Sequence, residues 1–287
     1  MMNQEFIIIP GASNMPELPE VETVRRTLET LIVGKTIRDI DVFYERIIRG
    51  STVTDFISKL EGQTLSSIDR YGKYLIFIFG ELTILSHLRM EGKYFIKNLD
   101  EPKEKHEHII FYFTDGSTLR YHDTRKFGTM DLILTKDIFT NSPIIKQGYE
   151  PFNEKLTGTH LRSLLKNRKT AIKSALLDQT VMSGLGNIYV DEVLFLSKLD
   201  PERQANTLTL KQYKDVVTNA KKVLTKAVEL GGTTIRSYTS SLGVTGRFQN
   251  ELLVHMKEKE PCIICLKPIT KIKVNGRGTY YCTNCQK

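Results

Sequence analysis

Four cysteines crowd into the last 26 residues of a 287-residue chain, as Cys262-Ile-Ile-Cys265 and Cys282-Thr-Asn-Cys285 with 16 residues between the pairs. Each C-x2-C pair can grip one metal ion from a tight turn, and the intervening residues can form a hairpin that brings the pairs together. Four thiolates satisfy a tetrahedral Zn2+ and leave no open position, so the spacing predicts one structural zinc ion per chain. The competing reading is two disulfides or free thiols. Disulfides normally spread over a fold to close long loops and rarely persist in the cytosol, so the clustering favours metal. Asn275-Gly-Arg-Gly278 falls at the expected tip of the hairpin. Its Arg277 can approach a phosphate closely between two glycines, although taken alone the tetrapeptide reads first as a solvated turn.

A second concentration of reactive side chains is Met15-Pro-Glu-Leu-Pro-Glu-Val-Glu-Thr-Val-Arg-Arg26. Pro16 and Pro19 suit the first turn of a helix, and Glu17, Glu20 and Glu22 favour its positive end. Standing alone, the segment reads as a helix start and no more.

The elements that must position these groups change character along the chain. From Pro19, Val21, Val24, Leu28, Leu31 and Ile32 recur at helical spacing, and Gly34 can end that helix in the left-handed conformation. Short runs rich in Ile, Phe, Tyr and Thr follow, at Thr36–Phe43, Tyr74–Phe79, Thr83–Met90, Ile109–Phe113, Thr118–His122 and Thr129–Leu134. Turn signals such as Asp115-Gly116 punctuate them, and the pattern predicts a sandwich or barrel. Residues 137–153 hold Asn141, Pro143, Gly148 and Pro151 and read as a linker. Helical periodicity then takes over in Leu161–Lys166, Ala171–Leu177, Val190–Leu196 and Leu210–Leu230, before a β-rich cysteine module. The expected fold class is α+β, with divisions at 16–136, 137–153, 154–255 and 256–287. The 41 Lys and Arg against 33 Asp and Glu give a net charge of +8, which suits an anionic partner without identifying one. No stretch approaches the roughly 20 apolar residues of a membrane helix. No basic region precedes Ile7, Ile8 and Ile9, so a secretory signal is not expected and the chain reads as cytosolic.

The segment from Met15 to Arg26 is followed, in order, by Lys73 in Arg-Tyr-Gly-Lys-Tyr, His87-Leu-Arg-Met90, Asp123-Thr-Arg-Lys-Phe127, Gly184-Leu-Gly-Asn-Ile-Tyr189 and the four cysteines. Together these motifs closely resemble the bacterial formamidopyrimidine-DNA glycosylases, over the whole of Met15–Lys287. The sister endonuclease VIII family shares the proline–glutamate start and the finger, but usually not Glu-Leu-Pro-Glu-Val-Glu. The resemblance implies an N-terminal β-sandwich with an opening helix, a helix–two-turns–helix domain and a β-hairpin zinc finger, with double-stranded DNA in the cleft between them.

It also implies roles. Pro16 would be the nucleophile at the sugar C1′: a free α-amine titrates near pKa 7.7–8.0 and is partly neutral at pH 7. A secondary amine gives an iminium, which supports both base removal and strand cleavage. Glu17 would help open the sugar ring, Glu20 would support the site, Lys73 would give a proton in β-elimination, and Arg277 would hold phosphate and assist δ-elimination. Met90, Arg125 and Phe127 match a trio that fills the hole left by a flipped base. His106, Arg168, Lys169 and Asn187 match phosphate-binding positions. Thr233, Thr234, Ile235, Arg236, Ser237 and Tyr238 open a stretch to Gln249 that resembles the loop closing over 8-oxoguanine. The expected partner is DNA carrying oxidised bases or abasic sites, bound by a monomer. The 14 residues before Met15 depart from the family pattern, because an amine at Pro16 requires that the mature chain begin there. Residues 1–15 are therefore expected to be absent from the mature protein. Two classes of function follow: an active glycosylase and lyase, or a catalytically silent lesion-binding protein of the same fold. A free Pro16 discriminates between them. A generic zinc-ribbon binding module is a distant third, since it would not need the N-terminal motif.

Overall fold

Helix α1 spans Leu18–Ile32, and its apolar stripe does two jobs. Val21, Val24, Leu28 and Ile32 enter a core built from β-strands, whereas Leu18 enters a separate core built from helices. The first turn of α1 is thus pinned at the junction of two modules. The structure is a computed structural model that describes residues 15–233 and 246–287. Thr234, Ile235, Arg236, Ser237 and Tyr238 lie outside the described residues.

The strand-rich module holds nine strands among the described residues: β1 Ile37–Val42, β2 Ile48–Arg49, β3 Ser67–Tyr71, β4 Tyr74–Phe79, β5 Leu82–His87, β6 Lys93–Asn98, β7 Glu107–Phe113, β8 Ser117–His122 and β9 Thr129–Leu134. They form a four-stranded sheet, β1-β7-β8-β6, and a five-stranded sheet, β2-β9-β5-β4-β3. Phe111, Phe113, Leu119 and Tyr121 from one sheet meet Phe77, Phe79, Ile84 and Met130 from the other, which is the alternation a sandwich requires. The short helix α2, Val53–Leu60, starts at Thr52, whose Oγ1 accepts from Asp55 N, and it closes the core with Phe56 and Leu60. The expected runs Tyr74–Phe79 and Thr129–Leu134 match β4 and β9 at both ends, the other ends shift by up to three residues, and α2, β2, β3 and β6 add to the expected set. β6 escaped detection because only Tyr94 is fully buried on it, leaving little alternation to read.

Residues 137–153 do not hang free. Ile138 and Ile144 pack under Tyr74, Ile76 and Leu85 on the outer face of the five-stranded sheet. The helical module follows with α3 Gly158–Leu165, α4 Ile172–Leu177, α5 Asn187–Leu196 and α6 Leu210–Glu229. Helix α6 starts on a capping box, Thr209 with Gln212, and buries Tyr213, Val216, Ala220, Leu224 and Ala227 at helical spacing. The hairpin β10 Thr270–Val274 and β11 Arg277–Tyr281 turns at Asn275-Gly276, and Val254, Ile269 and two of the cysteines pack against Phe195 of α5. No helix among the described residues is long and apolar enough to cross a membrane.

Candidate active site and nucleic-acid interface

Gly186 precedes α5 and has no side chain to accept the free N–H groups of that helix's first turn. Glu17 supplies the acceptor from across the junction: Oε1 accepts from Ile188 N at 2.8 Å and Oε2 from Tyr189 N at 3.4 Å. A Cβ at residue 186 would stand 2.5 Å from Glu17 Cγ, so the approach needs glycine at that position. Glu17 is 2% exposed. Burial pushes its carboxyl up to about 7, against the opposing pull of the Lys73 ammonium and with a further push from Glu20.

Glu20, one turn further along α1, accepts four hydrogen bonds. They come from Glu17 N at 2.9 Å, Tyr189 Oη at 2.5 Å, Thr233 N at 2.8 Å and Thr233 Oγ1 at 3.0 Å. One carboxylate therefore ties the start of α1, helix α5 and the segment after α6 together. Lys73 lies at the β3–β4 turn, buried, and has neither hydrogen bond nor ion pair among the described residues. Burial pulls its ammonium below the ordinary lysine range, while Glu17 and Glu20 pull it back up. The turn that carries it is gripped from two sides. Arg70 bonds Glu22 of α1 at 3.0 Å and also Glu150, whose carboxylate accepts from Gly72 N at 2.6 Å. Tyr71 Oη donates to Gly148 O at 3.1 Å.

A buried polar cluster holds the hairpin against the helices. Lys173 Nζ donates to Asp191 at 2.7 Å, Gly278 O at 3.0 Å and Thr279 Oγ1 at 2.8 Å. Asp191 also meets His255 Nδ1 at 2.8 Å, and Glu192 accepts from the backbone N–H groups of Leu253, Val254 and His255. Asn187 Nδ2 donates to Gly278 O at 3.0 Å, so this expected phosphate-binding residue also braces the tip beside Arg277. Asn187 Oδ1 has no partner among the described residues. Arg277 itself is exposed and close enough to depress Lys73 electrostatically.

Met90 stands on the loop between β5 and β6, and Arg125 and Phe127 stand on the loop between β8 and β9. Phe127 is 52% exposed, and the Arg125 guanidinium lies 4.9 Å from its ring centre. His87 Nδ1 accepts from Arg89 N at 3.0 Å; burial and nearby cations pull its pKa to about 3, which keeps the acceptor nitrogen unprotonated. His106 stacks edge-on with His108 and His122. Lys169 is exposed, whereas Arg168 is half-buried and pairs with Asp178 at 2.7 Å. Arg168 and Lys169 stand on the connection between α3 and α4, away from the Glu17 pocket in the chain and on a different element. Lys173, Asp191, Glu192, His255, Arg70 and Glu150 were not singled out from sequence. A signal existed for three of them: charged residues at apolar phases of the short helices α4 and α5.

The cysteine sulfurs lie within 4.8 Å of one another, with Cys262–Cys285 at 3.9 Å and Cys265–Cys282 at 3.4 Å. Tetrahedral thiolates about 2.3 Å from Zn2+ stand about 3.8 Å apart, so the four fit one ion. None of the four is in a disulfide.

A β-sandwich, a helix–two-turns–helix module and a four-cysteine finger, joined around a buried acid pair at the head of α1, define a zinc-finger protein of the helix–two-turns–helix class. Residues 15–130 match the formamidopyrimidine-DNA glycosylase N-terminal domain, residues 147–239 the helix–two-turns–helix domain of the same enzymes, and residues 259–287 a zinc finger found in these glycosylases and in isoleucyl-tRNA synthetases. The formamidopyrimidine-DNA glycosylase of Bacillus licheniformis is 50% identical over 278 residues, covering 95% of this chain and all of the relative. That of Listeria monocytogenes is 46% identical over 273 residues, with the same coverage. Among solved structures, the Lactococcus lactis enzyme complexed with DNA containing an abasic site is similar, with TM-score 0.89 and 45% identity over 95% of this chain and 100% of that one. MutM complexed with DNA containing carbocyclic 8-oxo-G is similar with TM-score 0.86 and 44% identity, at the same coverage. The chain belongs to the formamidopyrimidine-DNA glycosylase family and carries its zinc finger, with four clustered cysteines for one structural Zn2+.

Proposed function

We propose that the protein excises oxidised purines, 8-oxoguanine and formamidopyrimidines, from double-stranded DNA and then cuts the strand as an abasic-site lyase. The observation that carries this reading is the buried acid and lysine beside Pro16. An acid with a pKa of about 7 lies next to Pro16 in the chain, near a buried lysine that has no ion pair among the described residues. A carboxylic acid half-protonated at neutral pH can give a proton and take it back.

The Pro16 amine attacks C1′ as the C1′–N glycosidic bond breaks, and the departing base takes up a proton while the amine nitrogen loses its own. Glu17 gives a proton to the ring oxygen as the ring opens, and nitrogen and C1′ become an iminium. Loss of a C2′ proton then expels the 3′ phosphate, and a second elimination expels the 5′ phosphate. Lys73 serves as proton donor in the first elimination, and Arg277 holds phosphate in the second. Glu20 holds Glu17 and Thr233 in place. Met90, Arg125 and Phe127 fill the space of the extruded nucleotide, and His106, Arg168, Lys169 and Asn187 take backbone phosphates. Segments 16–136, 154–255 and 256–287 act as catalytic, DNA-binding and finger modules of a monomer.

The chemistry requires a chain beginning at Pro16, because the nitrogen joined to Met15 is an amide whose lone pair is delocalised. Pro16-start protein and full-length protein are compared on one 8-oxoguanine–cytosine duplex with borohydride present. Only the Pro16-start form is expected to give a trapped protein–DNA adduct. Equal cleavage by both, with residues 1–15 intact by mass spectrometry, rejects the proline-amine mechanism.

A further inference from the structure

We infer that Asp123 and Tyr121 are positioning residues for lesion excision, setting the register of the two loops that present Met90, Arg125 and Phe127. The inference rests on the proposal that those three side chains fill the space left by the base.

Asp123 follows β8 and is fully buried, yet it pairs with no cation among the described residues. Its carboxylate is directed at one loop. Oδ1 accepts from Arg125 N at 2.9 Å, and Oδ2 accepts from Phe127 N at 3.0 Å and Gly128 N at 2.8 Å. The residue is itself anchored, because its N–H donates to His106 O at 3.0 Å and its carbonyl oxygen lies 2.8 Å from His108 Nε2. Three backbone N–H groups converging on a buried carboxylate fold the loop back on itself, with Lys126 at φ +57. That is a left-handed conformation a side chain adopts only under constraint. The consequence is that Arg125 and Phe127 project together into solvent.

The second loop carries Met90. Arg89 is also left-handed, at φ +53, and Gly92 N closes the turn on Leu88 O at 2.9 Å. Tyr121 stands between the loops. Its hydroxyl lies 3.3 Å from Asp123 Oδ2, and its ring packs on Tyr94 at 5.2 Å. A Cβ on Gly92 or on Gly128 would collide with that same hydroxyl oxygen. One buried oxygen therefore abuts the backbone of both loops, and the two glycines are the residues that let it do so. Hydrogen bonds tie Asp123 to Arg125, Phe127, Gly128 and His108, so its effect should fall on holding an extruded base and not on the chemistry at C1′.

The experiment uses zinc-loaded, Pro16-start protein and two substrates, an 8-oxoguanine–cytosine duplex and the same duplex with a ready-made abasic site. Single-turnover rates are measured for Asp123→Asn, Tyr121→Phe and the double variant Arg125→Ala/Phe127→Ala, with 2-aminopurine beside the lesion to report unstacking. Asn keeps the shape of Asp123 but presents an NH2 where an acceptor is needed. Asp123→Asn should slow excision by about tenfold or more, with a weaker unstacking signal, while abasic-site cleavage stays within about threefold. Tyr121→Phe should show the same selectivity with a smaller loss. Added to the Arg125→Ala/Phe127→Ala background, Asp123→Asn should change excision by less than about twofold, because it acts through the residues already removed.

Equal losses on both substrates in both single variants, or full additivity in the combined variant, overturn the inference. If Arg125→Ala/Phe127→Ala loses excision selectively and neither single variant does, the positioning role fails while the void-filling proposal stands. If Arg125→Ala/Phe127→Ala shows no selectivity, the void-filling proposal fails and takes the positioning role with it.

Discussion

Replacing Glu17 with Gln separates the electrostatic burden of this site from its shape. The carboxyl has a pKa of 4.5 in an exposed chain and about 7 in the fold, chiefly because burial removes water from the charged form. Between those values the folded state binds the proton more tightly than the unfolded state. The stability tied to Glu17 is therefore fully present below about pH 4.5 and is lost as pH rises to 7 and slightly beyond. At about 1.4 kcal/mol per pH decade, the full loss is about 3 kcal/mol, and between pH 5 and pH 8 it is about 2–3 kcal/mol. Gln cannot ionise, and its carbonyl oxygen can still accept from Ile188 N. Denaturant unfolding of zinc-saturated, DNA-free protein at pH 5 and pH 8 should show the variant gaining about 2–3 kcal/mol on wild type over that interval. In a chain starting at Pro16 the adjacent ammonium favours the carboxylate, so the gain should be smaller there. The same variant should bind lesion DNA and turn over poorly. A stability difference that stays flat with pH, or grows in favour of wild type, would refute a carboxyl strained by burial.

Gly186→Ala tests the approach of Glu17 to α5 from the other side. Its backbone at φ −132 accepts alanine, so the cost is steric alone: about 1–3 kcal/mol by thermal or denaturant unfolding, with slower excision as Glu17 is displaced. Unchanged stability and turnover would mean that the pocket yields freely. Chelation should remove one Zn2+ per chain and abolish DNA binding, because loss of the metal unfolds the finger that carries Arg277. A colorimetric zinc-release assay run beside gel-shift binding checks both, and DNA binding that survives complete metal removal contradicts a structural role for the ion.

Local pattern and tertiary placement divide this molecule cleanly. The C-x2-C pairs, the proline-led first turn of α1 and the apolar runs of strands β4 and β9 were legible in the sequence because each depends on neighbours a few residues away. The body of α5 was legible from Val190 onward, although the helix starts three residues earlier, at Asn187. The segment 137–153 shows where that reading runs out: its composition says linker, yet Ile138 and Ile144 are buried under the sheet and Glu150 grips the turn that carries Lys73. Glu17 looked like one of several acids suited to a helix N-terminus, and it stands at the N-cap of α1, but its carboxylate also accepts from the first turn of α5, some 170 residues further along the chain. Lys173, Asp191 and His255 meet only because α4, α5 and the approach to the finger converge, and Asp123 is indistinguishable from a turn aspartate until three N–H groups are seen to point at it. Sequence alone determined most of the elements, though not α2, β2, β3 or β6, and the metal that the cysteines bind, since propensity and ligand spacing are local. Only the tertiary structure decided which acid loses its water and which lysine is buried without an ion pair among the described residues, since desolvation and charge at a site are set by groups that the chain brings together from far apart.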